Sequence, residues 1–285
     1  MQTGGRGGSR AKIAGRMIET LRPGAHALNA RVALFDFDGT LSLIRSGWVE
    51  EMVPMMVEIL ADLKSGETEE QLHAIVMEYV SRLTGRQTIY QMIEFAEQIA
   101  KRGGKPEEPL VYKHMYLDRL MVKIKSRIDD LEAERISPET WLVPGSIALL
   151  DGLKERGLKL YLASGTDDKY VKHETAILGL NKYFGPHVYG ALDDYKSFSK
   201  AILIKQIIDS AENKGDEFLG FGDGYVEIEN VKAVGGVAVG VASEEPECSK
   251  VDLWKRERLV NSGADWIVPH FNVPAASLLS TLFPE

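Results

Sequence analysis

Two carboxylates flank one aromatic residue at the end of a short apolar run. The run is Val32 to Phe35, and its continuous hydrophobicity is typical of a strand buried on both faces. Asp36 and Asp38 follow it, and Gly39 can adopt the backbone angles that a sharp turn requires. Carboxylates at the end of a buried strand are costly unless they bind a cation or take part in chemistry. For this stretch alone, the alternative is an Asp-Gly turn that closes a β-hairpin.

A second apolar run ends on a hydroxyl residue. Residues 160–163 indicate a buried strand, and Ser164, Gly165 and Thr166 follow it before a helical pattern begins. The Ser164 hydroxyl and the backbone N–H groups that follow it can hydrogen-bond phosphoryl oxygens. On its own, this pattern is more typical of an ordinary helix cap.

Acidic residues flanked by glycines follow a third apolar run. Asp223 and Glu227 come after residues 218–221 and stand between a predicted strand and a predicted helix. Together with Asp36 they predict an oxygen-rich pocket suited to Mg²⁺. A dinucleotide-binding glycine loop is the competing interpretation, but Asp223 stands where a pyrophosphate would approach. Tyr225 also replaces the third glycine of that loop.

A cation must balance these acids and any phosphoryl group that they bind. Lys200, at the predicted start of a helix, is our candidate, and Lys196 is the alternative four residues earlier. A single lysine in such a pattern is more often a solvated surface residue. The sequence leaves the choice between the two lysines open.

These groups need a sheet that brings several strand ends together. After about residue 142, helices alternate with short apolar strands, which predicts right-handed crossovers and a parallel sheet covered on both faces. In such an open sheet, ligands bind beyond the carboxyl ends of the strands. The predicted fold class is therefore α/β, with a Rossmann-like, mostly parallel sheet core.

A long helical tract separates the first strand from the rest of this core. Its four amphipathic helices and short connections predict a small antiparallel bundle. Thr68 and Gln71 form a capping-box pattern at the start of the second helix. The predicted parts are a flexible N-terminal extension at residues 1–30, a core at 31–45 plus 142–285, and an inserted helical cap at 46–141.

The bulk composition excludes several classes of protein. Of 285 residues, 44% are hydrophobic and 27% charged, which is ordinary for a soluble globular protein. The net charge of −8 argues against a nucleic-acid partner, and no apolar run is long enough to predict a membrane span. The single cysteine, Cys248, favours a reducing compartment, so we predict a cytoplasmic protein. Residues 11–21 show weak helical periodicity.

The three strand-end segments and the lysine, in their order along the chain, resemble the four motifs of the haloacid dehalogenase superfamily. The resemblance covers the predicted core and is specific because all four motifs occur together. It implies that Asp36 is a nucleophile and Asp38 a general acid and base. It also implies that Ser164, Gly165 and Lys200 bind the phosphoryl group of the substrate.

The same resemblance implies a Mg²⁺ site. Its ligands would be the Asp36 carboxylate, the backbone carbonyl of Asp38 and the Asp223 carboxylate. Many members of the superfamily have aspartate where this chain has Glu227. Because glutamate is longer, we expect Glu227 to act through a metal-bound water or through a bridge to Lys200.

The implied activity is that of a Mg²⁺-dependent phosphatase acting through an aspartyl-phosphate. The helical insertion stands where the superfamily places a cap, which favours a small phosphorylated metabolite of the sugar phosphate or phosphoglycolate type. Arg45, Ser46 and Trp48 follow the first motif and could touch the leaving group. Packing of Trp48 in the cap and a solvated Arg45 explain them equally well. A phosphomutase and a non-catalytic phosphate-sensing module remain as alternatives, and the oligomeric state stays open.

Overall fold

A computed structural model describes residues 18–192, 200–211, 214–272 and 275–285. Within these residues, seven strands form one sheet in the order β1-β7-β6-β5-β2-β3-β4. All pairs are parallel except β1 with β7. This arrangement confirms the predicted α/β fold class. The strands are β1 (Glu19–Thr20), β2 (Val32–Phe35), β3 (Lys159–Asp167), β4 (Val188–Ala191), β5 (Phe218–Gly222), β6 (Val237–Val241) and β7 (Trp266–Val268).

Strand β2 lies between β3 and β5, and every residue of it is buried. Leu34 is in register with Tyr161 on one side and with Gly220 on the other. Both pairings are parallel, so the Asp-Gly turn after β2 does not close a hairpin with either neighbour. Because parallel strands end at the same edge of a sheet, the three motif segments are brought together there.

Helices cover both faces of the sheet, and the side chains of β2 divide between two hydrophobic clusters. Ala33 and Phe35 belong to the cluster that includes side chains of α5, α6, α7 and α11, whereas Val32 and Leu34 belong to the one that includes α8, α9 and α10. This alternation follows from the period of two along a strand. These helices are α5 (Ser146–Glu155), α6 (Asp168–Ile177), α7 (Asn181–Phe184), α8 (Lys200–Ala211), α9 (Tyr225–Ala233), α10 (Leu253–Asn261) and α11 (Ala275–Leu282).

Four helices follow β2 directly in the chain, as the periodicity predicts, and α5 then precedes β3. Their buried residues join the first of the two clusters, so the insertion and one face of the core share a continuous apolar interior. The capping box at Thr68 and Gln71 is present. Pro54 is accommodated inside the first helix. The helices are α1 (Val49–Ala61), α2 (Glu69–Leu83), α3 (Thr88–Lys101) and α4 (Pro109–Glu132). Across the described parts of the chain, no helix combines the length and apolar character that crossing a membrane requires.

The start of the described chain differs from the prediction. Residues 18–30, which we expected in a flexible extension, pack on the core: Ala27 and Ala30 are buried. The helix that the periodicity of residues 11–21 suggests is also wrong for Glu19–Thr20, because these residues form strand β1, which pairs with β7. A two-residue strand has no periodicity of its own, because its stability comes from pairing with a neighbour. Residues 1–17 lie outside the described chain.

Asp265 explains why this segment is held on the core. Its carboxylate is 99% buried. It lies 2.6 Å from Arg22 Nε and 3.0 Å from Lys232 Nζ, and it accepts a hydrogen bond from the backbone N–H of Ala238 at 2.8 Å. One carboxylate thereby joins the N-terminal segment, helix α9 and strand β6.

We predict that Asp265→Ala lowers the free energy of unfolding by about 3 kcal/mol, because two cations and a buried N–H lose their partner. Asp129→Ala is the control, since Asp129 pairs with Lys125 on the exposed surface of α4. Its loss should stay below about 0.5 kcal/mol. Urea unfolding measures both, and equal losses in the two variants would contradict the role of Asp265.

Candidate active site

Asp36 and Asp38 lie directly after the carboxyl end of β2. Asp36 is buried, and its Oδ1 accepts a hydrogen bond from the Phe37 N–H at 2.7 Å. Asp38 Oδ2 accepts hydrogen bonds from Ser164 Oγ at 3.1 Å and from Thr166 Oγ1 at 2.8 Å. The predicted Ser164 therefore reaches the first motif, and Thr166 is a second hydroxyl that orients the same carboxylate.

The turn after these acids is tight. The Phe37 carbonyl accepts hydrogen bonds from the N–H groups of Thr40, Leu41 and Ser42 at 2.9–3.3 Å. Gly39 has a φ of +72°, a left-handed conformation that glycine adopts at little cost. A Cβ atom at Gly39 would also collide with Asp223 Oδ2. Glycine is thus required here for both conformation and space.

Asp223 enters the site from the end of β5. Its backbone N–H donates to Thr40 Oγ1 at 2.9 Å, which joins the first and last motifs. Its Oδ2 lies 2.9 Å from Lys255 Nζ, and Lys255 also binds Glu245. Burial opposes the charge of Lys255, but the carboxylates of Asp223 and Glu245 outweigh it and raise the lysine pKa. The ammonium therefore stays charged.

Of the remaining predicted residues, Glu227 is fully described, whereas Lys200 is described only by its backbone. Lys200 begins helix α8, but its side chain lies outside the described part of the chain, as does all of Lys196. Glu227 lies on α9, fully buried and packed against Gly222 and Gly224. The proposed bridge between Glu227 and Lys200 therefore stays a prediction.

Arg45 is fixed by a buried ion pair. Its Nη2 lies 2.6 Å from Glu174 Oε1, and its Nε donates to both Glu174 oxygens at 3.1 Å. The same guanidinium is 3.9 Å from Asp38 Oδ1. Burial opposes the arginine's charge, but Glu174 and Asp38 together raise its pKa. Arg45 is thus a permanent positive charge beside Asp38.

The loop between α2 and α3 roofs the site. Gly85 lies against the backbone of Gly224, and the Arg86 carbonyl lies against Gly165, so that no Cβ fits at Gly165 without movement. The Arg86 side chain donates to Tyr225 Oη at 2.8 Å. Core and insertion together form a cavity of about 110 Å³, which is also lined by Arg45, Trp48 and Tyr116.

The donor set fits Mg²⁺ by its chemistry. Asp36, the Asp38 carbonyl and Asp223 offer only oxygen atoms, which Mg²⁺ prefers. Asp223 Oδ2 lies in the space that a Cβ of Gly39 would fill, directly against the turn that follows Asp38. Among the described side chains, however, no three acidic, histidine or cysteine groups are gathered into a metal cluster. The charge beside Asp223 belongs instead to Lys255.

Comparison with known proteins decides the family. Residues 30–235 match the family model for haloacid dehalogenase-like hydrolases. The chain belongs to this family. A search of curated proteins found no match.

Solved structures of haloacid dehalogenase-like proteins share the fold. A predicted phosphoglycolate phosphatase from Haemophilus somnus has a TM-score of 0.54 at 15% identity, over 85% of this chain and 95% of that one. A predicted phosphatase from Clostridium acetobutylicum has 0.54 at 19% identity, over 88% and 99%. A hydrolase of family IA, variant 3, from Entamoeba histolytica has 0.56 at 17% identity, over 88% and 99%. At these identities the likeness concerns the fold alone.

Sequence reasoning in this haloacid dehalogenase-like chain missed four groups of the site. Thr166 was visible beside Ser164 as a second hydroxyl. Glu174 and Lys255 gave no local signal, because Arg45 and Asp223, their partners in the site, are distant in sequence. Glu245, ten residues before Lys255, lies in a stretch that resembles an ordinary loop. A buried acid such as Glu174 becomes recognisable only once its arginine is located.

We predict that Glu174→Gln lowers the free energy of unfolding by about 3 kcal/mol, because Arg45 remains charged, buried and without its bidentate partner. Glu132→Gln is the control, since Glu132 contacts His173 at an exposed position. The double variant Arg45→Leu with Glu174→Leu should recover most of the loss, because neither charge is then buried alone. Guanidinium unfolding of wild type and the three variants measures the free energy of unfolding. A double variant less stable than Glu174→Gln would refute the role of the ion pair.

Proposed function

We propose that this haloacid dehalogenase-like protein is a Mg²⁺-dependent phosphatase that hydrolyses a small phosphorylated metabolite through an aspartyl-phosphate. The observation that carries the proposal is the pair Asp36 and Asp38 at one strand end, with Asp38 held by two hydroxyl groups. One acid is buried against the backbone and the other is oriented by side chains. Two carboxylates in such different surroundings suit two different roles.

In the proposed reaction, Asp36 attacks the phosphorus in line while the bond to the leaving oxygen breaks. Asp38 donates its proton to that oxygen, and then takes a proton from the water that attacks the phospho-aspartate. Inorganic phosphate leaves and Asp36 is regenerated. Ser164 Oγ and the Gly165 N–H would hold phosphoryl oxygens, with Lys200 as the expected cation.

Mg²⁺, bound by Asp36, the Asp38 carbonyl and Asp223, would neutralise the phosphoryl oxygens that otherwise repel an anionic nucleophile. The protein supplies the rest of the positive charge. Arg45 is held by Glu174 beside Asp38, so it cannot follow the substrate and acts as a fixed charge near the leaving oxygen. Its charge would stabilise the negative charge that develops on the leaving oxygen before Asp38 protonates it.

The roof supports a small substrate. The loop with Gly85 and Arg86 comes from the insertion and approaches the core closely, so a folded phosphoprotein would not fit beneath it. We therefore assign the insertion the role of a cap over the site. A sugar phosphate or phosphoglycolate is of suitable size, and a fold neighbour is described as a predicted phosphoglycolate phosphatase.

We predict Mg²⁺-dependent phosphate release from a panel of small phosphomonoesters, and its loss by at least about 10³-fold in Asp36→Asn, because the amide is not a nucleophile. Asp118→Asn, on the exposed face of α4, is the matched control and should keep full activity. Malachite-green detection with and without chelator measures the release.

The outcomes of this assay separate the alternatives. Release that survives in Asp36→Asn would overturn the assignment of the site. Transfer of the phosphoryl group within a substrate, without free phosphate, would replace the phosphatase with a phosphomutase. Binding of phosphate esters without any turnover would favour a non-catalytic phosphate sensor.

Arg86 gives a test of the cap's role in substrate choice. The residue lines the cavity, and its side chain is held toward the core by Tyr225. We predict that Arg86→Ala raises KM about tenfold for phosphoglycolate, whose carboxylate needs a cation, and less than about threefold for p-nitrophenyl phosphate. Arg82→Ala, which changes an exposed arginine of α2 paired with Glu78, should alter neither value. Equal effects on both substrates would argue against a carboxylate contact.

A further inference from the structure

A buried ion pair stands beside the predicted metal ligand Asp223. Lys255 Nζ lies 2.9 Å from Asp223 Oδ2 and 2.5 Å from Glu245 Oε1. The three side chains are only 12–18% exposed. The roles proposed above use neither Glu245 nor Lys255.

The backbone fixes the start of the helix that carries Lys255. Asp252 caps helix α10: its Oδ1 accepts hydrogen bonds from the N–H groups of Trp254 and Lys255, each at 2.9 Å. The Asp252 N–H in turn donates to the Ala242 carbonyl at 2.8 Å, just after β6. Lys255 therefore starts from the first turn of a helix that is anchored at the edge of the sheet where the site lies.

Both carboxylates press against the turn after Asp38. A Cβ at Gly39 would meet Asp223 Oδ2 and would lie 2.8 Å from Glu245 Oε1. Glu245 also lines the same cavity as Asp36 and Asp223. The ammonium of Lys255 thus sits among the acids that would surround a bound cation.

We propose that Lys255 is the counter-cation of the metal-free site and competes with Mg²⁺ for Asp223, while Glu245 offers it an alternative partner when the metal binds. The proposal rests on the Mg²⁺ dependence of the proposed function. Two cations that share one carboxylate repel each other, strongly so in a poorly solvated site. An ammonium that can move toward Glu245 reduces that repulsion without leaving a buried charge unpaired.

The competition predicts opposite effects for the two residues. In Lys255→Gln, Mg²⁺ should bind about tenfold more tightly, because the competing charge is gone. In Glu245→Gln, Mg²⁺ should bind about tenfold more weakly, because Lys255 then has only Asp223 as its partner. The metal-free Lys255→Gln protein should also melt at a lower temperature than wild type, with a larger stabilisation by Mg²⁺. Isothermal titration calorimetry and thermal unfolding of the full chain, without substrate, measure these values.

A matched ion pair in the same loop provides the controls. Lys250 lies 2.7 Å from Glu244, at 71% and 35% side-chain exposure. Lys250→Gln and Glu244→Gln change the same charges near the same backbone, and each should leave the Mg²⁺ dissociation constant within about twofold of wild type. They separate a local effect at Asp223 from a general effect of net charge.

Tighter Mg²⁺ binding by Lys255→Gln, together with weaker binding by Glu245→Gln, supports the competition between Lys255 and Mg²⁺ for Asp223. A loss of Mg²⁺ affinity in both Lys255→Gln and Glu245→Gln would show a purely structural pair and overturn it, as would shifts no larger than those of the controls. If Lys255→Gln does not fold, the double variant Lys255→Gln with Glu245→Gln carries the test, since neither charge is then left buried alone. Its Mg²⁺ affinity should exceed that of Glu245→Gln, and an equal or lower affinity would overturn the competition. Wild-type protein that binds no Mg²⁺ would remove the metal from the proposed function as well, whereas Mg²⁺ binding with control-like variants overturns the competition alone.

Discussion

The geometry of the site depends on the parallel pairing of β2 with a strand on each side. Every side chain of β2 is buried, so a register shift in the pairing would expose apolar residues and bury polar ones. With the register fixed, Asp36 and Asp38 emerge between the ends of β3 and β5. Ser164 and Thr166 reach Asp38 there, and the backbone N–H of Asp223 reaches Thr40 in the turn that follows. The apolar core therefore determines where the acids stand, and the hydrogen bonds only adjust their orientation.

Negative charges outnumber positive charges at this edge of the sheet. Asp36, Asp38, Asp223 and Glu245 all line the cavity. Of the described cations near them, Arg45 is bound by Glu174 and Lys255 by Asp223 and Glu245. A phosphorylated substrate would add further negative charge. Because desolvated like charges repel strongly, the site needs a cation from outside, which agrees with the oxygen donors that it offers.

Sequence patterns predicted the sheet, the inserted helices and the three strand-end segments, because each depends on local periodicity or on a short motif. They failed where stability comes from distant partners. Strand β1 exists only through pairing with β7, and Glu174 is buried only because Arg45, 129 residues away, neutralises it. Lys255 likewise resembles an ordinary residue of a charged helix until β6 and α10 bring it to Asp223.

The roof of the cavity is also held by contacts between residues that are distant in sequence. Arg258 of α10 donates to the carbonyls of Ser81 and Thr84, at the end of α2 where helical carbonyls lack partners. Lys113 of α4 lies 2.6 Å from Asp167, at the end of β3. These contacts between insertion and core are polar and specific, so they fix one closed arrangement. Water can replace these polar contacts at far lower cost than it can hydrate the apolar interior that the insertion shares with the core. A movement that admits a substrate would therefore be confined to the loop between α2 and α3, while the sheet edge beneath it keeps its geometry.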